Sequence, residues 1–213
     1  MNPQKKDDTL LTPDNHALLM IDHQYLQLLA VRSHTNDAVV GNAVFLAKAA
    51  RIFEVPTLFT TAFAERQALF QELQAVHPEQ VPIDRTGLNS WDDARVVDWV
   101  RNTGKKKLVM AGLWTEVCLS MPVLSALAEY FEVYIVTDAS GGGSNEGHER
   151  GVQRMVQAGA RPLTTVAYVS ELQRDWGRPT ADDIAKLFAE YGGGFGQGLR
   201  WEWQLLGLKE GTR

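Results

Sequence analysis

Short apolar runs rich in β-forming residues alternate with helix-like stretches along most of this chain, and no other feature of it constrains the fold as strongly. Strands buried on both faces read as near-continuous hydrophobic runs, the pattern of a parallel sheet covered by helices on each side. Residues 17–22 (Ala-Leu-Leu-Met-Ile-Asp) and 56–61 (Pro-Thr-Leu-Phe-Thr-Thr) are the first two such runs, separated by a helical pattern over about 37–53. Residues 107–113 and 132–138 supply two further strands, a helix is expected over about 145–158, and 161–169 reads as the last strand. The expected architecture is a three-layer α/β/α sandwich with a mostly parallel, Rossmann-like central sheet. A chain of 213 residues with 45% hydrophobic content is long enough for one large core, placed here in a single domain over 1–191. A helix with an Asp-rich first turn is expected over 180–191. Within 192–213, the run Gly192-Gly193-Gly194-Phe195-Gly196-Gln197-Gly198 reads as a flexible joint, and the aromatic segment 199–206 as a tail that makes a subunit contact.

Charge and cysteine content narrow the partners. Against 26 acidic residues stand 21 basic ones, a net charge of -5 that disfavours nucleic acid and offers lipid no polybasic surface. Lys105-Lys106-Lys107 is the one basic run and reads as a solvated loop before a strand. The first eight residues are charged with no apolar signal core, and no later stretch is apolar for long enough to span a bilayer, so a cytoplasmic protein is expected. One cysteine excludes an internal disulfide, and no Cys/His spacing resembles a zinc site. Neither glycine run has the dinucleotide-binding spacing, and no phosphate-loop lysine motif is present, so no nucleotide cofactor is implied.

In an open parallel sheet, chemistry collects at the carboxyl ends of the strands. Asp22 ends the first strand, Arg85 lies in the loop Ile83-Asp84-Arg85-Thr86-Gly87, and Cys118 follows the 107–113 strand where the chain turns into a helix. Each has a structural alternative: Asp22 as a cap, Arg85 as a surface ion-pair partner, Cys118 as a small core residue. As a nucleophile, Cys118 would need its thiolate stabilised. Helix amides and a nearby cation are expected to lower its pKa from about 8.5, and a shift of about two units makes the anion dominant at neutral pH. His23 is set aside as a partner, because successive strand residues face opposite sides of the sheet. His148 reads as solvated or capping.

Six segments taken together resemble the isochorismatase-like cysteine hydrolase superfamily, in particular its YcaC-like branch. They are Leu18-Leu19-Met20-Ile21-Asp22-His23-Gln24, Thr60-Thr61-Ala62-Phe63, Arg85-Thr86-Gly87-Leu88-Asn89-Ser90-Trp91-Asp92, Gly112-Leu113-Trp114-Thr115-Glu116-Val117-Cys118, Val136-Thr137-Asp138-Ala139-Ser140-Gly141 and Glu171-Leu172-Gln173-Arg174-Asp175-Trp176. In order and spacing they cover roughly residues 10–178.

The resemblance implies a triad of Asp22, Arg85 and Cys118, with Asp22 as the proton carrier and Cys118 as the nucleophile on a carbonyl carbon. Lysine is commoner than arginine at the second position, and a guanidinium can hold charge but not exchange a proton. It also implies an oxyanion hole from the backbone N–H groups of Trp114 and Cys118, around a cis Leu113-Trp114 bond. Nicotinamidases of the superfamily bind metal through an Asp and histidines after the second strand. The corresponding Thr60-Thr61-Ala62-Phe63-Ala64-Glu65-Arg66 has no histidine, so no metal is expected. Phe63, Trp91 and Trp114 read either as walls of a small-molecule pocket, with Gln24 and Asn89 as its polar contacts, or as core aromatics and turn residues. A retained cysteine beside an aspartate favours a C–N bond over the vinyl ether of true isochorismatases. A homo-oligomer, tetramer or octamer, is expected. The alternative is an oligomeric binding or thiol-sensing protein on the same scaffold, and Asp22 discriminates: a sensor needs a low thiol pKa, which a neighbouring carboxylate opposes.

Overall fold

A computed structural model describes residues 9–212, so the charged segment 1–8 lies outside the described residues. In chain order the elements are β1 (His16–Ile21), α1 (Tyr25–Ala30), α2 (Asn36–Ile52), β2 (Thr57–Ala62), α3 (Gln71–Val76), β3 (Ile83–Arg85), α4 (Ala94–Asn102), β4 (Lys107–Gly112), α5 (Ser120–Ala128), β5 (Glu132–Val136), α6 (Asn145–Gln157), β6 (Arg161–Leu163), α7 (Thr165–Gln173), α8 (Ala181–Tyr191) and α9 (Gly193–Leu206). A 3₁₀ turn, Ser90–Asp92, precedes α4, and a π-helical turn, Thr115–Leu119, precedes α5. The six strands form one sheet in the order β3-β2-β1-β4-β5-β6, every pairing parallel.

The alternation of side chains along each strand builds two cores. Leu18 and Met20 of β1 join Phe59, Val109, Ala111 and Tyr134 on the face covered by α2, α7 and α8. Ala17, Leu19 and Ile21 join Leu58, Leu108, Met110 and Ile135 on the other face, under α4, α5 and α6. Every residue of β1, β2 and β4 is buried, which is why these runs are legible as unbroken apolar sequence.

Three readings of the sequence are corrected. The expected strand 161–169 is a strand only over Arg161–Leu163; Thr164 then caps α7, its hydroxyl accepting the Ala167 N–H at 3.3 Å. Tyr168, Val169 and Leu172 then bury one helical face, and capping with burial outweighs the β-propensity of Thr-Thr-Val-Ala-Tyr-Val. The segment 83–91, read as loop, begins with the edge strand β3. The glycine run read as a flexible joint is the start of α9, which crosses α8 so closely that a Cβ on Gly196 would collide with the Phe188 carbonyl oxygen. The glycines of that run include one that this helix crossing requires. Phe195, Trp201, Leu205 and Leu206 of α9 stand exposed.

Candidate active site

β1 and its neighbours β2 and β4 mark the place where strand order reverses, and the crevice at their carboxyl ends is where such sheets gather reactive groups. Asp22, the first residue past β1, takes a left-handed conformation (φ 56°) while its N–H donates to the Thr60 carbonyl at 3.0 Å. Its carboxylate is fully buried. Arg85 Nη2 donates to Asp22 Oδ2 at 2.7 Å, and Thr60 Oγ1 donates to Oδ1 at 3.2 Å. Arg85 ends β3 and also donates through Nη1 to the Gly87 carbonyl. Two strands away from Arg85, β1 extends its pairing with β4 through Leu113 N–H to Ile21 O at 3.0 Å. The Leu113-Trp114 bond that follows is cis. The Trp114 carbonyl then accepts the N–H groups of Val117 (3.0 Å) and Leu119 (3.2 Å), winding the π-helical turn that carries Cys118.

The three expected residues therefore meet. The Cys118 thiol is buried beside the Asp22 carboxylate, within reach of the charges of Asp22 and Arg85 and of the Trp114 amide. Burial foremost, and then the charge of Asp22, pushes the thiol pKa up to about 11, against the opposing pull of Arg85 and the Trp114 amide. This corrects the expectation of a dominant thiolate: the guanidinium and the Trp114 amide lower the pKa, but by less than desolvation raises it. Burial also raises Asp22 above the usual carboxylate range, with the Arg85 charge and hydrogen bond opposing it. A thiol raised in this way favours its protonated form at neutral pH, with a carboxylate beside it.

The expected pocket residues divide. Gln24 is fully buried, and its carboxamide grips the chain after β2, donating to Ala62 O (3.1 Å) and Gln67 O (2.6 Å) and accepting from Ala62 N (2.8 Å). Asn89 accepts from Trp91 N–H at 3.1 Å and donates to Asp92 Oδ1 and Ser125 Oγ, the role of a turn residue. Trp91 is a core aromatic, edge-on to Phe131, with its indole N–H on Glu129 at 2.9 Å. The polar groups of all three are engaged within the chain, as in the scaffold reading of these residues. Phe63 (φ 53°) and Trp114 are half-buried beside the triad segments, Trp114 anchored through its indole N–H to Gln27 O at 2.8 Å. Arg85 and Asn89 also border a hollow of about 600 Å³ with Asp84, Asp93 and Arg95.

His23 is fully buried, donating from Nε2 to Ala139 O at 2.9 Å, and burial brings its pKa down to about 4. His148, expected to be solvated or capping, is instead half-buried with Nδ1 2.8 Å from Thr115 Oγ1 on the turn that carries Cys118. Thr60 was not singled out from the sequence. Its signal was present in the Thr-Thr end of β2, beside Asp22 in the sheet register. Among the described residues no group of three or more His, Cys, Asp or Glu is arranged to hold a metal, and no helix is long and apolar enough to cross a membrane.

A family model described as the isochorismatase domain matches residues 16–167. The chain is 39% identical to the probable hydrolase YcaC of Escherichia coli over 184 residues, 85% of this chain and 88% of that protein. The solved structure of the Escherichia coli YcaC product, described as an octameric hydrolase of unknown specificity, superposes with a TM-score of 0.88 at 36% identity, covering 94% of this chain and 99% of that one. YcaC from Pseudomonas aeruginosa, solved with hexane-2,5-diol and covalent acrylamide, gives the same TM-score of 0.88 at 34% identity, covering 95% and 99%.

Proposed function

This chain belongs to the isochorismatase family of hydrolases, and from that premise we propose that it cleaves a small amide or related C–N bond through a thioester on Cys118. The observation that carries the reading is the fully buried carboxylate of Asp22 beside the thiol, its orientation held by Arg85 and Thr60. Asp22 takes the thiol proton as sulfur attacks the carbonyl carbon, and the carbonyl π pair moves to oxygen. The N–H groups of Trp114 and Cys118 receive that oxyanion. As the C–N bond breaks, the amine leaves with the proton from Asp22. Water then gives a proton to Asp22, its oxygen adds to the thioester carbonyl, and sulfur departs and recovers the proton. Arg85 keeps its charge throughout and steadies Asp22 in the ionised state. Phe63 and Trp114 are the aromatic walls assigned to the substrate.

A thiol raised to about 11 is the opposite of what a peroxide or disulfide sensor needs, which disfavours the sensing alternative. The exposed apolar side chains of α9 fit a contact between subunits, in keeping with a homo-oligomer, tetramer or octamer, and the Escherichia coli relative is described as octameric. A lone cysteine with no cross-linking partner suits a reducing, cytoplasmic setting.

A panel of small amides read by intact-protein mass spectrometry tests the reaction. Acyl adducts are expected on the wild type and not on Cys118→Ser. If no amide yields adduct or product, and Asp22→Asn leaves the peroxide reactivity of the thiol unchanged, the hydrolase reading falls.

A further inference from the structure

The loop after β5 has the composition of an anion cradle. Ser140-Gly141-Gly142-Gly143-Ser144 leads from a parallel strand into the N-terminus of α6, a helix of 13 residues, an end where backbone N–H groups and the helix dipole favour negative charge; here Ser33 Oγ takes the Gly142 N–H and Ser144 Oγ the Gly147 N–H. In this chain the cradle is filled from within. Glu116 Oε1 accepts the Gly143 N–H at 3.0 Å, and Oε2 is buried without a hydrogen-bond partner. The fit is close: a Cβ on Gly142 would lie 2.6 Å from Oε2, and a Cβ on Gly147 2.6 Å from Oε1. Glu116 belongs to the π-helical turn Thr115–Leu119, two residues before the nucleophile.

The same loop and helix grip the rest of that turn. Thr115 N–H donates to Gly141 O at 3.0 Å, and Thr115 Oγ1 lies 2.8 Å from His148 Nδ1 on α6. α6 also lies against the turn backbone, where a Cβ on Gly151 would come within 3.0 Å of Glu116 Cα. We propose that Glu116 is a positioning residue for Cys118: an internal carboxyl group, seated where a phosphate would bind in other folds, that fixes the nucleophile turn against α6. The role rests on the cysteine-hydrolase reading for what the thiol attacks, but its test needs only the reactivity of the thiol. The proposal also accounts for a glycine-rich loop that matches no nucleotide motif, since its glycines admit a carboxylate of the same chain.

Alkylation of Cys118 by acrylamide, followed by intact mass on the full-length protein, measures thiol placement without a natural substrate. Glu116→Ala is expected to slow alkylation by about tenfold or more, in line with the cost of misplacing a reacting group, and added formate is expected to restore the rate saturably. Glu116→Gln keeps an oxygen for the Gly143 N–H and is expected to stay within about threefold of wild type. Gly147→Ala drives a methyl into the carboxylate, so it is expected to slow the wild-type protein and to have no effect when combined with Glu116→Ala. Folded Glu116→Ala protein reacting at the wild-type rate overturns the role, as does a loss that formate does not restore. If Glu116→Ala does not fold, Gly147→Ala decides: a slower thiol in a native fold supports the role, and an unchanged rate overturns it. A wild-type thiol inert until the protein is denatured would overturn the nucleophile reading itself, whereas a reactive wild type with unaffected variants overturns the positioning role alone.

Discussion

Two carboxylate–guanidinium pairs of the same 2.7 Å length sit at opposite ends of the sheet. Arg85–Asp22 joins the carboxyl ends of β3 and β1, with side chains 4% and 0% exposed; Arg161–Glu132 joins the amino ends of β6 and β5, with side chains 39% and 41% exposed. Geometry alone does not tell them apart. Water does. At the amino ends solvent screens the charges, and such a pair contributes about 0–1 kcal/mol. At the carboxyl ends the charges have lost their hydration, so each depends on the other and on a few fixed donors, and the thiol beside them feels both. Burial is what sets apart the pair to which the proposed chemistry is assigned.

The largest expected break in this comparison is catalytic. Asp22→Asn should lower the rate of acyl-enzyme formation by about 10²–10⁴-fold, the span usual for a general acid–base group, while Glu132→Gln leaves it unchanged. Comparable losses in both variants, measured by time-resolved intact mass, would mean that the buried pair is not the reactive one. Next is stability. Arg85→Met leaves the Asp22 carboxylate buried and unpaired and should cost about 3–5 kcal/mol in urea unfolding, and a cost below 1 kcal/mol would show water entering the site.

A smaller effect comes from the buried histidines at the two ends of β1. His16 lies between Thr12 O (2.8 Å) and the Tyr168 hydroxyl (2.9 Å), His23 lies just past Ile21, and burial lowers both to about 4 from 6.5. A histidine whose folded pKa lies below its unfolded value stabilises the fold while it is neutral. That stability is present above pH 6.5 and is lost as pH falls toward 4, because the unfolded chain takes up the protons. Between pH 7 and 5 each should cost about 2 kcal/mol, so a flat urea midpoint over that range would show that the histidines are hydrated. The smallest effect belongs to the exposed pair. Arg161→Met should change stability by less than about 1 kcal/mol, and 1 M salt should remove the difference, which sharpens the contrast with Arg85→Met.

Much of the fold was legible because β1, β2 and β4 are buried along their whole length and so spell themselves in apolar residues. β3 has only three residues at the sheet edge, too few to show a period, and Arg85 was therefore placed in a loop. In α7 the β-branched residues pointed to a strand, and the capping hydroxyl of Thr164 settled the helix. At the site, Asp22, Arg85 and Cys118 could be picked out from their motifs and from the rule that sheets react at their carboxyl ends. Gln24, Asn89 and Trp91 could not be sorted into pocket or scaffold, since a carboxamide reads the same whether its partner is a substrate or Ala62. Glu116 lay unnoticed between the expected oxyanion donor and the nucleophile, because its partner Gly143 is far along the chain.

What the sequence by itself determined is the parallel α/β order, the two-faced burial of its strands and the identity of three residues that meet at one crevice. Periodicity and strand ends are local properties, written in consecutive residues. Tertiary structure alone decided the direction in which the thiol pKa moves and the occupant of the glycine-rich loop. Both depend on how much water is removed and on which distant group fills its place. Desolvation and the carboxylate just past β1 raise the Cys118 thiol pKa, and a carboxylate from the turn after β4 fills the cradle before α6.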